Sequence, residues 1–373
     1  MTIGIDGRAL QFRSWGGVRH YTFELLRALF TCDRENEYHV FYNAWKRIEV
    51  PDFSEFQNVT VHYSRWPNKF FNLSIRIFHR PGFSIASGAL DVLFVPNLNF
   101  VACLSPTKLV AVVHDLSFEH FPEYFSWRFR LWHRALDPRS LFRRADHLIA
   151  VSTHTKGDLV ETYGIAPEKV TVVYPGIDQV SGVRCQVSEL KPKTWNLSPR
   201  SYILYFGALE PRKNIIGIIE AYEKLRPYQQ LVIAGLSTPY VKKLKARIRK
   251  SKLRDKIMLI ENPTEDEKAK LYGGAHVFVY PSFYEGFGFP PLEAMAAGVP
   301  VVTSSAGSVP EICGDAAILV SPWNVGEIKA GMEVLLEDNE VRARYIAAGR
   351  TRVAQFSWDK SAREVFEVLK SVV

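Results

Sequence analysis

The chain reads as an α/β protein built from two parallel-sheet domains, and three features predict this. Its 373 residues exceed what one ordinary hydrophobic core fills. Short apolar runs alternate with segments of helical apolar spacing in both halves, the pattern of a parallel sheet wrapped by helices. Between the halves, residues 179–200 are supplied with Ser, Gly, Pro and Lys but lack periodicity, as a linker does. The expected organisation is a domain at 1–178, a linker at 179–200, a second domain at 201–355 and a terminal helix at 356–373.

In the first half, strands are expected near 3–5, 38–42, 59–63, 92–95, 108–113, 147–150 and 170–173, each a run of β-branched or aromatic residues. A helix is expected at 18–30, where Tyr21, Leu25, Leu26 and Leu29 fall on one face. The second half offers strands near 202–206, 230–234, 257–259, 276–279, 301–303 and 317–320, with a helix at 214–225 among the segments between them. Glu265, Asp266 and Glu267 form an acidic first turn with Thr264 as cap. At the end, Trp358, Val365, Val368 and Leu369 give 357–373 helical spacing. Open parallel sheets bind ligands at the C-terminal ends of their strands, and His114, Arg212 and Glu285 each follow a predicted strand. A site in a cleft between the two domains is therefore expected. The two halves share architecture but no internal sequence repeat.

Composition narrows the class. With 47% hydrophobic and 23% charged residues the chain can bury a large core. No stretch reaches the roughly 20 uncharged apolar residues of a membrane span, and the opening Met1–Asp6 lacks the basic start and apolar run of a signal peptide. Cys32, Cys103, Cys185 and Cys313 are scattered without a C-x-x-C pair, which fits reduced thiols rather than a disulfide scaffold or a zinc site. A cytoplasmic location is expected. The formal charge of +8 favours acidic partners: nucleotide phosphates, anionic lipid or nucleic acid.

Residues 280–298 carry the most chemistry. Glycines 286 and 288 let the backbone approach a ligand, and Pro290 or Pro291 suits the first position of a helix, so a helix N-terminus faces the loop and favours an anion such as phosphate. Glu285 in the loop and Glu293 near the first turn cannot bind phosphate; their natural partners are sugar or ribose hydroxyls. A phosphorylated sugar satisfies both. Upstream, Arg212 and Lys213 end the loop after the 202–206 strand and can place a planar fork and a point charge on two phosphates; alternatively they are solvated cations opening a helix.

The Glu-x7-Glu element with its flanking strands, the run Tyr202 to Asn214 ending in Glu210-Pro-Arg-Lys-Asn, the segments 307–315 and 356–358, and the N-terminal Ile3–Arg8, Gly16-Gly17-Val18 and Val112-Val-His-Asp115 together resemble the retaining nucleotide-sugar enzymes of glycosyltransferase family 4. The resemblance spans nearly the whole chain and implies a GT-B fold, two Rossmann-like parallel-sheet domains facing an interdomain cleft. It implies donor binding by Gly16, Gly17, Arg212, Lys213, Glu285, Gly286, Phe287, Gly288 and Glu293, and catalytic roles for His114, Arg212, Lys213 and Glu285. His114 is placed against the transferred sugar by resemblance; the alternative is a histidine bonded to Asp115 in a turn. Likewise Gly16-Gly17 alone means only a turn, and the Asp6/Arg8 pair only a cap. Ala208 stands where many members carry arginine, so the phosphate role falls to Arg212 and Lys213 in an unsettled division. By resemblance the terminal helix crosses back to the first domain.

The expected reaction moves a hexose from a nucleoside diphosphate sugar to a hydroxyl of a glycan or lipid-linked acceptor, with retention. Resemblance to bacterial mannosyl- and rhamnosyltransferases of surface polysaccharide synthesis favours GDP-mannose as donor substrate; no cofactor is expected. No Asp-x-Asp motif is present, so no metal site is expected, the cations and the helix N-terminus supplying the positive field. Segments 66–71, 76–83 and 127–134 mix aromatics with cations: they either touch an anionic membrane surface or are amphipathic helices whose aromatics are core. The cationic run 242–254, with Val241, Leu244 and Ile248 on one face, reads as a solvated surface helix. A nucleotide-sugar epimerase of the same fold, which turns over donor without acceptor, is the rival within enzymes. A nucleic-acid-binding protein is the rival outside them, but gives no reason for Glu285 and Glu293. Nucleic acid is not an expected partner.

Overall fold

A computed structural model describes residues 1–11, 16–45, 49–78, 89–103, 106–178, 195, 197–198, 200–226 and 229–373, so most of the linker region lies outside the described residues. The described chain forms two compact units, Met1–Gly176 with Ser357–Val373, and Ile177–Phe356.

The first unit contains a sheet of seven strands: β1 (Thr2–Asp6), β2 (Glu37–Asn43), β3 (Val59–Ser64), β4 (Val92–Val95), β5 (Lys108–Val113), β6 (His147–Ala150) and β7 (Val170–Val172). Every pairing is parallel, in the order β3-β2-β1-β4-β5-β6-β7. The second unit contains a sheet of six: β8 (Tyr202–Phe206), β9 (Gln230–Gly235), β10 (Ile257–Glu261), β11 (Val277–Tyr280), β12 (Val301–Ser304) and β13 (Ile318–Val320), parallel in the order β10-β9-β8-β11-β12-β13. Helices cover both faces of such sheets, which is why central strands such as Val92–Val95 and Val277–Tyr280 are buried at every residue rather than at alternate ones.

The strand order decides where ligands can sit. In each sheet the chain winds outward from a first strand, then returns to its other side, so the loops leaving β1 and β4, and those leaving β8 and β11, diverge and open a crevice at the C-terminal ends. The expected strands are all present, with ends that agree to within two residues.

Local chemistry fixes the helix ends. Thr264 and Glu267 form a reciprocal capping box at the helix Glu265–Gly274, satisfying two amides that the helix cannot. The basic helix Val241–Arg249 buries Val241 and Leu244 and exposes Lys242, Lys243, Lys245 and Arg249, as a solvated helix does, while Arg247 is half-buried in a fork with Glu223. Helix Trp358–Ser371 packs on helix Gly17–Cys32, with the Trp358 ring 5.8 Å from that of Tyr21. Its start lies so close to Gly176 that a Cβ there would fall 2.2 Å from the Trp358 nitrogen. Cys32, Cys103 and Cys313 form no disulfide, and Cys185 lies outside the described residues. No helix among the described residues is long and apolar enough to cross a membrane.

Candidate active site

The crevice of the second sheet gathers a cluster of buried charges. From β8 the backbone passes Gly207 to a single 3-10 turn, Pro211–Lys213, and Asn214 leaves it in the left-handed conformation with its side-chain amide donating to the Pro322 carbonyl at 2.6 Å. This turn aims Lys213 and Arg212 at the loop that leaves β11. The Lys213 ammonium lies 2.6 Å from Glu285 Oε1, while Arg212 reaches Glu285 Oε2 at 3.3 Å, Glu210 at 2.9 Å and the Tyr284 carbonyl at 2.7 Å. Tyr280, the last residue of β11, donates its hydroxyl to Glu285 Oε1 at 2.9 Å. These are not solvated cations opening a helix: Lys213 is 6% exposed and Glu285 7%.

Burial alone would raise the Glu285 pKa. The charges of Lys213 and Arg212, with hydrogen bonds from Lys213 and Tyr280, outweigh it and hold the carboxyl below its ordinary range. Two cations and two carboxylates, Glu285 and Glu210, thus balance in a water-poor setting. Burial and the charge of Glu285 push the Tyr280 phenol well above its usual value, so it stays a donor.

The Glu285 loop is clamped from two sides. Phe283 N–H donates to the Arg212 carbonyl at 2.9 Å. On the other side the Ser308 amide and hydroxyl reach the Glu285 carbonyl at 3.2 and 3.0 Å, and the hydroxyl lies 2.9 Å from the Phe287 carbonyl. Gly307 makes this approach possible: its φ is +65°, and a Cβ there would meet the Glu285 nitrogen at 3.0 Å. Gly288, at φ +106°, turns the chain into the helix Phe289–Ala296, and Phe287 packs against Phe289 and Phe356.

Two expectations need correction. Phe289, not a proline, opens the helix, so Pro290 and Pro291 occupy its second and third positions and remove two amides; the helix end offers an anion fewer N–H groups than expected, though its dipole remains. Glu293 is the fifth residue, just past the first turn and so where it was expected, but not beside Glu285. Its carboxylate meets a different set of partners, Lys268 at 2.8 Å and the Tyr272 hydroxyl at 2.8 Å, both on the helix Glu265–Gly274. Burial alone would lower the Lys268 pKa, but the charge of Glu293 raises it. The two carboxylates therefore belong to two separate clusters, joined through the rings of Tyr272, Phe278 and Tyr280.

In the first unit, Gly16 is the N-cap and Gly17 the first residue of helix Gly17–Cys32, with no side chain capping it. His114 leaves β5 with Nε2 2.9 Å from the Pro96 carbonyl; because a carbonyl only accepts, Nε2 carries the proton. The edge of Tyr21 meets its ring at 4.7 Å, and burial lowers its pKa, so the imidazole is neutral at pH 7. Asp115 instead takes the Ser117 amide and hydroxyl at 2.9 and 2.6 Å. Asp6 and Arg8 form a bidentate fork at 2.8 and 2.7 Å, and Arg8 also donates to the Phe100 carbonyl at 2.6 Å. Sequence reasoning did not single out Tyr280, Glu210, Ser308 or Tyr21. Tyr21 and Ser308 act across long sequence separations and Tyr280 from the end of a strand, while Glu210, inside the 202–214 run, pairs with Arg212 only two residues away.

The sequence profile described as Glycosyltransferase Family 4 matches residues 15–180, and that described as Glycosyl transferases group 1 matches 187–352. The O-antigen chain mannosyltransferase B of Escherichia coli is 30% identical over 274 residues, 70% of each chain. The chain belongs to glycosyltransferase family 4. A second relative, the Serotype-specific mannosyltransferase WbdA of Escherichia coli, is 29% identical over 282 residues, 70% of this chain but 33% of its own length. Among solved structures, the sucrose-phosphate synthase of Thermosynechococcus elongatus superposes with a TM-score of 0.77 at 18% identity, covering 100% of this chain and 98% of the other, a likeness of fold. The fold of this glycosyltransferase is GT-B, and its two parallel sheets are those described above.

Proposed function

We propose that this glycosyltransferase moves mannose from GDP-mannose to a hydroxyl of a glycan or lipid-linked acceptor, with retention of anomeric configuration and without a metal. The observation that carries the reading is the buried Glu285–Lys213–Arg212–Glu210 cluster at the crevice of the second sheet. A glycosyl bond to a diphosphate breaks with charge building on the phosphates and an oxocarbenium-like sugar left behind. Arg212 supplies a planar fork and Lys213 a point charge, both already oriented by carboxylates, so little reorganisation accompanies the departure. Glu285 is an acceptor for a sugar hydroxyl, and Glu293, within its Lys268–Tyr272 cluster, for a ribose hydroxyl. His114, neutral and donating through Nε2 to Pro96, keeps Nδ1 as an acceptor toward the sugar. The acceptor hydroxyl attacks the face the diphosphate leaves, and a phosphate oxygen takes its proton. Mannose is favoured because relatives named for mannosyl transfer match most of the chain.

We also place the enzyme at an anionic membrane surface. Trp127, Phe129 and Leu131 on the helix Trp127–Leu136, and Trp66, Phe70 and Leu73 at the helix Asn68–Phe78, are exposed, so these aromatics are not core; Phe71 and Ile75 are. Exposed Arg128, Arg130 and Arg134 share the first of these helices. Segment 79–83 and the Arg76 side chain lie outside the described residues. Thermal melts with GDP-, UDP-, dTDP- and ADP-sugars test the donor. A ligand at 100 times its Kd adds about 2.7 kcal/mol to stability, and GDP-mannose is expected to give the largest rise. No rise with any of the four contradicts the donor site; a larger rise with a UDP-sugar contradicts the base.

A further inference from the structure

The first unit holds a cavity of about 200 Å³ that none of the roles above uses. Ile75, Phe100, Val101, Leu136 and Leu141 form its apolar part, and Asn99, Asp137, Ser140 and Arg144 give it a polar side with one carboxylate and one cation. The two helices that carry the exposed aromatics supply part of its wall, Ile75 from Asn68–Phe78 and Ala135 and Leu136 from Trp127–Leu136, and the helix Pro138–Arg144 supplies Ser140, Leu141 and Arg144. Phe100 also pairs edge-to-face with Trp132 of the helix Trp127–Leu136, their ring centres 6.1 Å apart. The cavity is smaller than the roughly 300–1,000 Å³ of pockets that enclose a whole drug-sized ligand, and suits a segment of chain.

The pocket is tied to His114. Residues 96–103 leave β4 as one loop: its Pro96 carbonyl holds the imidazole, and its Asn99, Phe100 and Val101 line the cavity. Arg8 fastens this wall by donating to the Phe100 carbonyl while its guanidinium lies 5.3 Å from the ring centre of Phe71. That gives the Asp6–Arg8 fork a use beyond ending a strand. Arg144 donates to the Val101 carbonyl at 2.9 Å, placing a cation with five N–H donors on the polar side. The surrounding charge is one-sided: residues 127–144 contain six arginines (128, 130, 134, 139, 143 and 144) against Asp137 alone.

We propose that this pocket binds the phosphate-proximal hydrocarbon of the acceptor's lipid carrier, with Arg144 on the phosphate. The proposal rests on the lipid-linked acceptor and deepens it: an apolar slot with a cation at its side, in an arginine-rich surface, recognises an isoprenoid or alkyl phosphate and not a bare glycan. Burying a chain of a few methylenes there contributes by the same apolar transfer that drives folding, and the charge fixes which end faces out.

Calorimetry with decyl phosphate below its aggregation concentration tests the pocket. Saturable binding is expected, weakened at least about tenfold in Ala135→Trp and in Ser140→Trp, which fill the cavity from two different positions. Arg144→Gln should weaken decyl phosphate about tenfold, from loss of a charge-assisted contact, and leave decyl maltoside unchanged. Farnesyl monophosphate should displace the probe more strongly than dihexanoyl phosphatidylglycerol; the reverse assigns the pocket to bilayer phospholipid and overturns the carrier. Inorganic phosphate competing as well as decyl phosphate, or equal decyl phosphate binding by wild type and both tryptophan variants, overturns the pocket itself. Sedimentation with anionic vesicles, which the outward residues Trp127, Arg128 and Arg130 govern, should be the same in wild type and Ala135→Trp; a drop in the variant means that one surface, not a separate pocket, accounts for both. Loss of vesicle binding in wild type with saturable decyl phosphate retained refutes membrane docking and leaves the pocket standing.

Discussion

Lys213→Met removes an ammonium from a site where it lies 2.6 Å from a carboxylate, with the side chains 8% and 9% exposed. Removing one partner of a buried ion pair costs about 3–5 kcal/mol, because the other charge is left without compensation in a poorly hydrated place. Here Glu285 keeps Tyr280 at 2.9 Å and Arg212 at 3.3 Å, which sets the cost near the lower end, about 3 kcal/mol. For a unit spanning Ile177–Phe356, that lowers the melting temperature by about 6–12 °C. Glu285→Gln should cost a similar amount, since it leaves Lys213 with Glu210 only at 3.9 Å. The double variant should be less damaged than the sum of the singles by about 2 kcal/mol, each substitution having removed the charge that the other stranded. Denaturant unfolding of all four proteins at pH 7 closes this cycle. Additivity within about 0.5 kcal/mol would refute the buried pair. Acid gives a second reading. The folded Glu285 pKa is depressed, so the unfolded chain takes up the proton first as pH falls. The stability this carboxylate contributes is complete above about pH 4.3, the unfolded value, and is lost as pH drops through the lower folded value. The gap between wild type and Glu285→Gln should narrow over that acid range and be constant between pH 6 and 8.

Glu293→Ala should weaken GDP-mannose binding by roughly 1.5–3 kcal/mol through a lost charge-assisted hydrogen bond, and should also lower stability, because Lys268 and Tyr272 lose their shared acceptor; calorimetry showing native donor affinity in a folded variant removes Glu293 from the donor site. Transfer should survive chelation, and an enzyme silenced by EDTA and restored by Mg²⁺ or Mn²⁺ refutes metal independence. Sedimentation with anionic vesicles should fall when Arg128 and Arg130 become Ser, by about 1 kcal/mol for each charge, and should weaken with salt; equal recovery with neutral vesicles contradicts membrane docking.

Much of the fold was legible because parallel strands buried on both faces are written as continuous apolar runs. Val92–Val95 and Lys108–Val113 coincide with the expected strands, and the Thr264–Glu267 cap is a purely local signal. The site was legible where a motif lies within one loop: Glu285 follows β11 and Arg212 and Lys213 follow β8, as expected. Their union is a non-local fact. It depends on β8 and β11 being neighbours in the sheet, which brings Lys213 to Glu285 although they lie 72 residues apart in sequence. Glu293 shows the limit of spacing arguments, since the helix phase that starts at Phe289 turns it toward Lys268 and Tyr272 instead of Glu285. Likewise the aromatics at 66–71 and 127–134 divide between core and surface residue by residue: Phe71 is buried while Phe70 is 66% exposed, a distinction composition cannot make.

Single-turnover release of GDP from GDP-mannose by wild type and Arg212→Ala tests the central claim most directly. If Arg212 holds the charge that develops on the departing diphosphate, the variant should be slower by about a hundredfold or more, while its melting temperature shows it folded. A folded Arg212→Ala enzyme that releases GDP at the wild-type rate places the phosphates elsewhere and contradicts the proposed donor site.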